Sequence, residues 1–182
     1  MALTRFGGYT SHVAVPERQA FALPGAFQFA EGAALPVTYL TAYLLMISMG
    51  RLGAGETVLV HSAGGGVGLA AIDLAGIIGA KVIGVASAAK HDFLRGRGVM
   101  GLVDARAKGL VSQVKALTEG RGVDLALDAR GGGSWRQSYD CLAPTGRLAV
   151  LGSPRRSDPA AASPRWRAPR RACRGRASTC SG

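Results

Sequence analysis

The sequence is poor in cysteine, and it lacks both a leader-like start and a flanked apolar span. Its 182 residues include three cysteines, Cys141, Cys173 and Cys180, and none forms a CxxC pair. An odd number of cysteines without an export signal favours free thiols over disulfides. The first residues, MALTRFGGYT, lack the apolar run of a signal peptide, and no long uncharged stretch ends in charges at membrane spacing. We therefore expect a soluble, cytoplasmic protein with no membrane partner.

Acidic residues are also scarce, but the charge imbalance is concentrated in the tail. The formal net charge is +11, and residues 153–182 contribute +7 of it through eight arginines and one aspartate. This tail has one aromatic residue, Trp166, and no aliphatic residue larger than alanine. It cannot bury enough apolar surface to offset its ordering entropy, so we predict disorder. Nucleic-acid binding by these arginines is the disfavoured alternative, because Trp166 alone offers a stacking surface.

The most informative stretch is TVLVHSAGGGVG, residues 57–68. A buried strand runs into a turn rich in small residues, and an apolar helix follows from Val67 to about Gly79. This order is typical of the G-x-G-x-x-G turn, in which the cofactor pyrophosphate lies at the helix N-terminus. The register here is Ala63, Gly65 and Gly68, with Gly64 and Gly66 adding freedom. A mononucleotide P-loop is excluded, because Leu69 and not Lys-Ser/Thr follows the last glycine.

Strands and helices alternate after this turn, which predicts an α/β fold with a doubly wound parallel sheet of about five strands. The later predicted strands are Lys81–Ala86, Gly101–Asp104, Val123–Asp128 and Arg147–Leu151. The predicted helices between them are 90–97, 110–118 and 134–142, the last capped by Ser134. Before the glycine turn we predict a strand over Tyr9–Val15 and two helices, Phe29–Ala34 and Thr38–Met49.

The end of the second strand favours NADPH over NADH. An NAD site usually has an Asp or Glu at that position to accept hydrogen bonds from the ribose hydroxyls. This chain instead has Val85, Ala86 and Ser87, and Lys90 follows three residues later. Ser87 could donate to a 2′-phosphate and Lys90 could pair with its charge. The alternative for Lys90 is a solvated lysine at the start of a helix.

Several segments together resemble the zinc-independent quinone oxidoreductases of the medium-chain dehydrogenase/reductase superfamily, relatives of zeta-crystallin. They are FGGYTSHVAVP, AALPVTYLTAY, VLVHSAGGGVG, SAAK, GVDLALDARGG and GRLAVLGS, in the order and spacing of that family. Two of these segments are most similar to its vesicle-amine-transport-protein-like branch. The resemblance covers residues 4–153.

The resemblance implies NADPH-dependent reduction of quinones or conjugated enones by hydride transfer. It implies that Gly64, Gly65, Gly66, Val67 and Gly68 hold the pyrophosphate and that Gly152 also belongs to the cofactor site. Thr41 matches a family position near the nicotinamide, although a hydroxyl that only faces its own helix is an equal alternative. A non-catalytic NADPH-binding module without a substrate pocket is the alternative function.

Departures from the family pattern qualify these expectations. Ala105 stands where the family commonly has a tyrosine beside the adenosine, and Thr38 where it has asparagine. His12, His61 and His91 are scattered singly, as strand-end or surface histidines are, so we predict no zinc. The chain is shorter than a full member, which predicts a GroES-like remnant over 1–36, a Rossmann domain over 37–152 and the tail over 153–182. Family members often dimerise through the far sheet edge, so a homodimer would require a complete edge.

Overall fold

The computed structural model describes residues 1–4 and 6–151, and its centre is a five-stranded parallel sheet. The strand order is β3-β2-β1-β4-β5, with β1 in the middle. The strands are β1 Thr57–His61, β2 Lys81–Ala86, β3 Gly101–Asp104, β4 Val123–Asp128 and β5 Leu142–Val150. The chain crosses from one half of the sheet to the other after β3, so the two halves meet between β1 and β4. The predicted α/β architecture is confirmed.

Helices cover both faces of this sheet. They are α1 Phe29–Tyr43, α2 Gly66–Ile78, α3 His91–Arg95, α4 Leu110–Leu117 and α5 Gly133–Asp140. Strand β1 divides its side chains between two cores, because successive residues point to opposite faces. Val58 and Val60 pack with residues of α1 and α2, whereas Leu59 packs with Val114 of α4. All five residues of β1 are buried, as expected for the central strand of a covered parallel sheet.

The N-terminal segment differs from its prediction, because Tyr9–Val15 forms no strand. The β-structure in the described part of this segment is an isolated antiparallel bridge between Ala2 and Ala20. A short 3-10 turn covers Glu17–Gln19. An apolar alternation becomes a strand only beside a pairing partner, and Tyr9 is fully exposed with no neighbouring strand among the described residues.

The two helices predicted before the glycine turn are one helix. Helix α1 runs unbroken through Pro36 and continues as a π-helical turn over Leu44–Met49. Pro36 has no amide hydrogen to donate, but the helix continues on both sides of it. The helix starts at a capping box between Gln28 and Glu31, and Tyr39 holds it to α2 by donating to Asp73 Oδ2 at 2.6 Å. It also crosses the expected domain boundary at residue 36.

Segment Phe29–Met49 is the one helix in the described ranges with the length and composition of a membrane span. Core helices of soluble proteins, which are mostly buried, and signal sequences near an N-terminus meet the same criteria. In this segment 22% of the apolar stretch is buried, and α1 packs on α2.

The remaining differences are at the ends of elements. Ser134 is not the cap of α5, because Gly132 takes that position and the Ser134 hydroxyl donates to Asp128 instead. Strand β5 begins at Leu142 and not at Arg147, because its register to β4 shifts across an irregular stretch that includes Thr145 at φ 69°. The helix predicted over 90–97 is a 3-10 turn, Ala88–Lys90, followed by α3.

Candidate nucleotide-binding site

The small residues after β1 form a tight turn that directs the chain into α2. Ser62 has φ 54°, and the Gly65 amide donates to the Ser62 carbonyl at 2.8 Å. Ala63 is fully buried, and its amide donates to the Val85 carbonyl of β2 at 3.0 Å. The turn is therefore fixed to the sheet, and it lies at the carboxyl edge where open α/β sheets bind ligands.

The spacing of the glycines follows from close contacts of the backbone. A Cβ on Gly68 would lie 2.5 Å from the Ser62 carbonyl oxygen and 2.7 Å from the Ala63 backbone. A Cβ on Gly66 would lie 2.8 Å from Thr38 Cγ2 of α1. The first amides of α2, at Gly66, Val67 and Gly68, have no acceptor within the helix, so they are available to an anion. The turn has the shape of a pyrophosphate cradle.

A cleft of about 280 Å³ lies on the β2 side of the turn. It is lined by Ser62, Gly64, Gly65, Val85, Ala86, Ser87, Lys90, Ala105 and Arg130. Lys90 Nζ donates to the Gly64 carbonyl at 2.8 Å, so the ammonium is held beside the turn. None of the described residues lining this cleft is acidic. The cleft thus brings Ser87 and Lys90 beside the glycine turn.

A second cleft, of about 160 Å³, lies on the other side of the turn. It is lined by Leu45, Val60, His61, Ser62, Gly65, Gly66, Val67, Gly68, Leu127, Ala129 and Leu151. The wall is almost wholly apolar, apart from the turn itself, His61 and Ser62. Thr41 is half-buried on α1, one helical turn before Leu45, and does not line either cleft beside the turn. Gly152 lies outside the described residues, directly after Leu151.

A buried polar network beside the second cleft was not anticipated from the sequence. Ser138 of α5 donates to Asp128 Oδ2 at 2.7 Å and lies 2.9 Å from His61 Nε2. Because the hydroxyl has one proton and gives it to the carboxylate, Nε2 of His61 is the donor to Ser138. His61 Nδ1 then remains an acceptor, buried and without a hydrogen-bond partner among the described residues.

The network holds its members in defined protonation states. Burial lowers the pKa of His61, the positive charge of Arg130 adds to this effect, and the nearby Asp128 opposes it. Burial alone would raise the pKa of Asp128, but hydrogen bonds from Ser138, Ser134 and the amides of Arg130 and Gly131 lower it. We conclude that Asp128 is ionised and that His61 is neutral at pH 7.

Two of the missed residues share a recognisable signal. Asp128 ends β4 and Arg130 follows it, and β4 pairs directly with β1. Residues after β4 therefore lie at the same edge as the glycine turn. His61 was predicted to be a strand-end or surface residue; it does end β1, but it is buried. In residues 1–4 and 6–151 no three His, Cys, Asp or Glu side chains gather as a metal-binding group.

Comparison with known proteins places the chain among dehydrogenase-like proteins. A family model described as zinc-binding dehydrogenase matches residues 66–176, which includes much of the segment predicted to be disordered. The synaptic vesicle membrane protein VAT-1 homolog of Homo sapiens is 39% identical over 153 residues, covering 84% of this chain and 39% of that protein. The chain therefore spans about two fifths of the length of this protein and of its rat and mouse counterparts.

Solved structures agree in sequence and in fold. The CurK enoyl reductase is 35% identical with a TM-score of 0.71, covering 74% of this chain and 40% of that one. A mycobacterial protein solved in complex with NADPH is 30% identical with a TM-score of 0.71, covering 76% of this chain and 43% of that one.

Proposed function

Because this chain belongs to the zinc-binding dehydrogenase family, we propose that it is the cofactor-binding part of an NADPH-dependent reductase of quinones or conjugated enones. The family membership, the parallel sheet and the likeness to an enoyl reductase support an oxidoreductase of the medium-chain dehydrogenase/reductase type. The substrate class and the preference for NADPH are the proposal. We also propose that it acts in the cytoplasm on a small molecule and not on nucleic acid.

The observation that carries the proposal is the cleft beside the glycine turn. Gly66 and Gly68 let the start of α2 pack closely against Thr38 and against the backbone of the turn, and α2 begins there with free amides. Lys90 and Ser87 lie in the adjoining cleft, with no acidic residue among the described lining residues. This arrangement suits the extra phosphate of NADPH and leaves the ribose hydroxyls of NADH without a carboxylate acceptor.

A bound nicotinamide cofactor supplies the hydride for reduction. The residues of this chain would bind and orient it. The turn amides would hold the pyrophosphate, and Lys90 and Ser87 would contact the adenosine end. The apolar second cleft would receive the part of the cofactor on the opposite side of the turn. Val60, Leu127 and Leu151 make that side of the turn apolar. Thr41 stays a prediction for the nicotinamide end.

The alternative is an NADPH-binding module without turnover. The described residues that line the two clefts beside the turn are ones that can bind a cofactor, and none of them is identified as catalytic. Both functions need the same cofactor site, so they differ only in the reaction of a quinone or enone.

The direct test is a comparison of Lys90→Ala with Lys81→Ala. Lys81 is exposed at the start of β2, at the other end of the strand from the cleft, so this control removes the same charge far from the cleft. We expect Lys90→Ala to weaken NADPH binding about tenfold or more and NADH binding much less, because only NADPH presents a phosphate there. Fluorescence titration of both cofactors measures this. Equal weakening of NADPH and NADH would contradict the assignment of Lys90.

Turnover is then measured by adding 9,10-phenanthrenequinone, and separately an α,β-unsaturated ketone, to the NADPH complex. Oxidation of NADPH by either compound supports the reductase. Tight NADPH binding without oxidation supports the non-catalytic module.

A further inference from the structure

The loop after β4 places a second cation over the cleft that holds Lys90. Arg130 extends from the β4 side of the sheet, across the ends of β1 and β2, to the residue that follows β3. Its Nη1 lies 3.5 Å from the Ala105 carbonyl, at the long end of the hydrogen-bond range. Both Arg130 and Ala105 line the cleft with Lys90. The two cations therefore stand on different walls of one space.

The position of Arg130 is fixed by its backbone. The Arg130 amide donates to Asp128 Oδ1 at 2.8 Å, and the Gly131 amide donates to the same oxygen at 3.1 Å. The other carboxylate oxygen of Asp128 accepts from Ser138. Asp128 is fully buried and its oxygens are occupied, so it fixes the loop without neutralising the guanidinium.

The cations in the cleft keep donors for a ligand. Lys90 uses one of its three donors on the Gly64 carbonyl, and Arg130 makes a single long contact with its five. Asp104, the residue before Ala105, does not line the cleft, and its Oδ1 accepts from the Arg106 amide. A space with two cations and no lining carboxylate favours a dianion such as a phosphate monoester.

We infer that Arg130 is a specificity-determining residue that, with Lys90, clamps the 2′-phosphate of NADPH from the β4 side of the cleft. The inference rests on the proposed cofactor and deepens it, because it adds a contact on the opposite wall. The small side chain of Ala105 leaves room for this contact, because it does not block the Arg130 guanidinium from the cleft. On binding, Arg130 would exchange its long contact with Ala105 for a bidentate contact to phosphate.

The test is a comparison of Arg130→Gln with Arg136→Gln. Arg136 is exposed on α5 and does not line the cleft, so the control makes the same change in net charge. Calorimetry would use NADPH, NADH, adenosine 2′,5′-bisphosphate and 5′-AMP. We expect Arg130→Gln to weaken NADPH and the bisphosphate about tenfold or more, and to change NADH and 5′-AMP less than about twofold. Arg136→Gln should change none of them.

Each other outcome has a defined meaning. One outcome would overturn the role of Arg130 and leave the proposed function intact. In it, Arg130→Gln weakens NADPH binding no more than Arg136→Gln does, while Lys90→Ala still weakens it. Loss of NADPH and NADH in equal measure would also overturn it. A wild-type chain that binds neither cofactor would overturn both proposals. If Arg130→Gln fails to fold, Arg130→Lys decides, because it keeps the charge but loses the fork, and we expect it to bind NADPH at intermediate strength.

Discussion

At the scale of single residues, the site depends on places where a side chain is missing. Gly68 is such a place, because the atoms that a Cβ would meet belong to the backbone of Ser62 and Ala63 and cannot rotate away. Gly76 lies on the same helix, and a Cβ there would meet nothing within 4 Å. Substitutions at these two glycines therefore distinguish the need for close backbone packing at Gly68 from the ordinary helix propensity at Gly76.

We predict opposite effects for the two alanine variants. Gly68→Ala should destabilise the fold by about 1–3 kcal/mol, because the turn must move away from α2. Gly76→Ala should stabilise it by about 0.5–1 kcal/mol, because alanine is the better helix former. Urea unfolding of both variants measures the difference. A Gly68→Ala protein as stable as Gly76→Ala would show that the turn is not packed as described.

At the scale of elements, the network of His61, Ser138 and Asp128 joins β1, α5 and β4 around a neutral buried imidazole. The pKa of His61 is lowered in the folded protein by burial, so below about pH 6.5 the unfolded chain takes up a proton that the folded chain resists. Stability should therefore fall as the pH falls below about 6.5, by up to about 1.4 kcal/mol per pH unit. The lowered pKa values of Asp128 and Glu56 act in the same direction, but only in the more acidic range of carboxyl groups.

This pH dependence is measured by urea unfolding between pH 7.5 and 5.5. His61→Gln should remove the slope, whereas His12→Gln, which changes an exposed histidine of the N-terminal segment, should keep it. A slope that persists in His61→Gln would assign it to another group.

At the scale of the whole molecule, local pattern predicts the elements and the sheet order assembles the site. The strands at 57, 81, 101 and 123 and the glycine turn were predictable, because a short apolar run or a small-residue spacing is written in consecutive residues. The unbroken α1 and the unpaired Tyr9–Val15 were not, because tertiary packing and the presence of a partner strand decide them. Thr41, Ser87 and Lys90 remain predictions for cofactor contacts.

The residues missed in the site share one physical cause. Arg130 lies near Ala105 and His61 near Ser138 only because β4 pairs with β1, which sets residues far apart in sequence at one edge. A sequence pattern shows that Asp128 ends a strand, but not that its carboxylate is fully occupied by the loop and by helix α5 that follow it. The His61–Ser138–Asp128 network and the position of Arg130 in the cleft both follow from the order of the strands in the sheet.

The central claim is that the cleft between the glycine turn and the loop after β4 is an NADPH site, and the most direct test is its selectivity. The unmodified full chain is titrated with NADPH and with NADH, following cofactor fluorescence in the same buffer. We predict saturable binding with NADPH about tenfold tighter or more, because Lys90 and Arg130 meet a phosphate that NADH lacks. Equal affinity for the two cofactors, or no binding of either, would contradict the account.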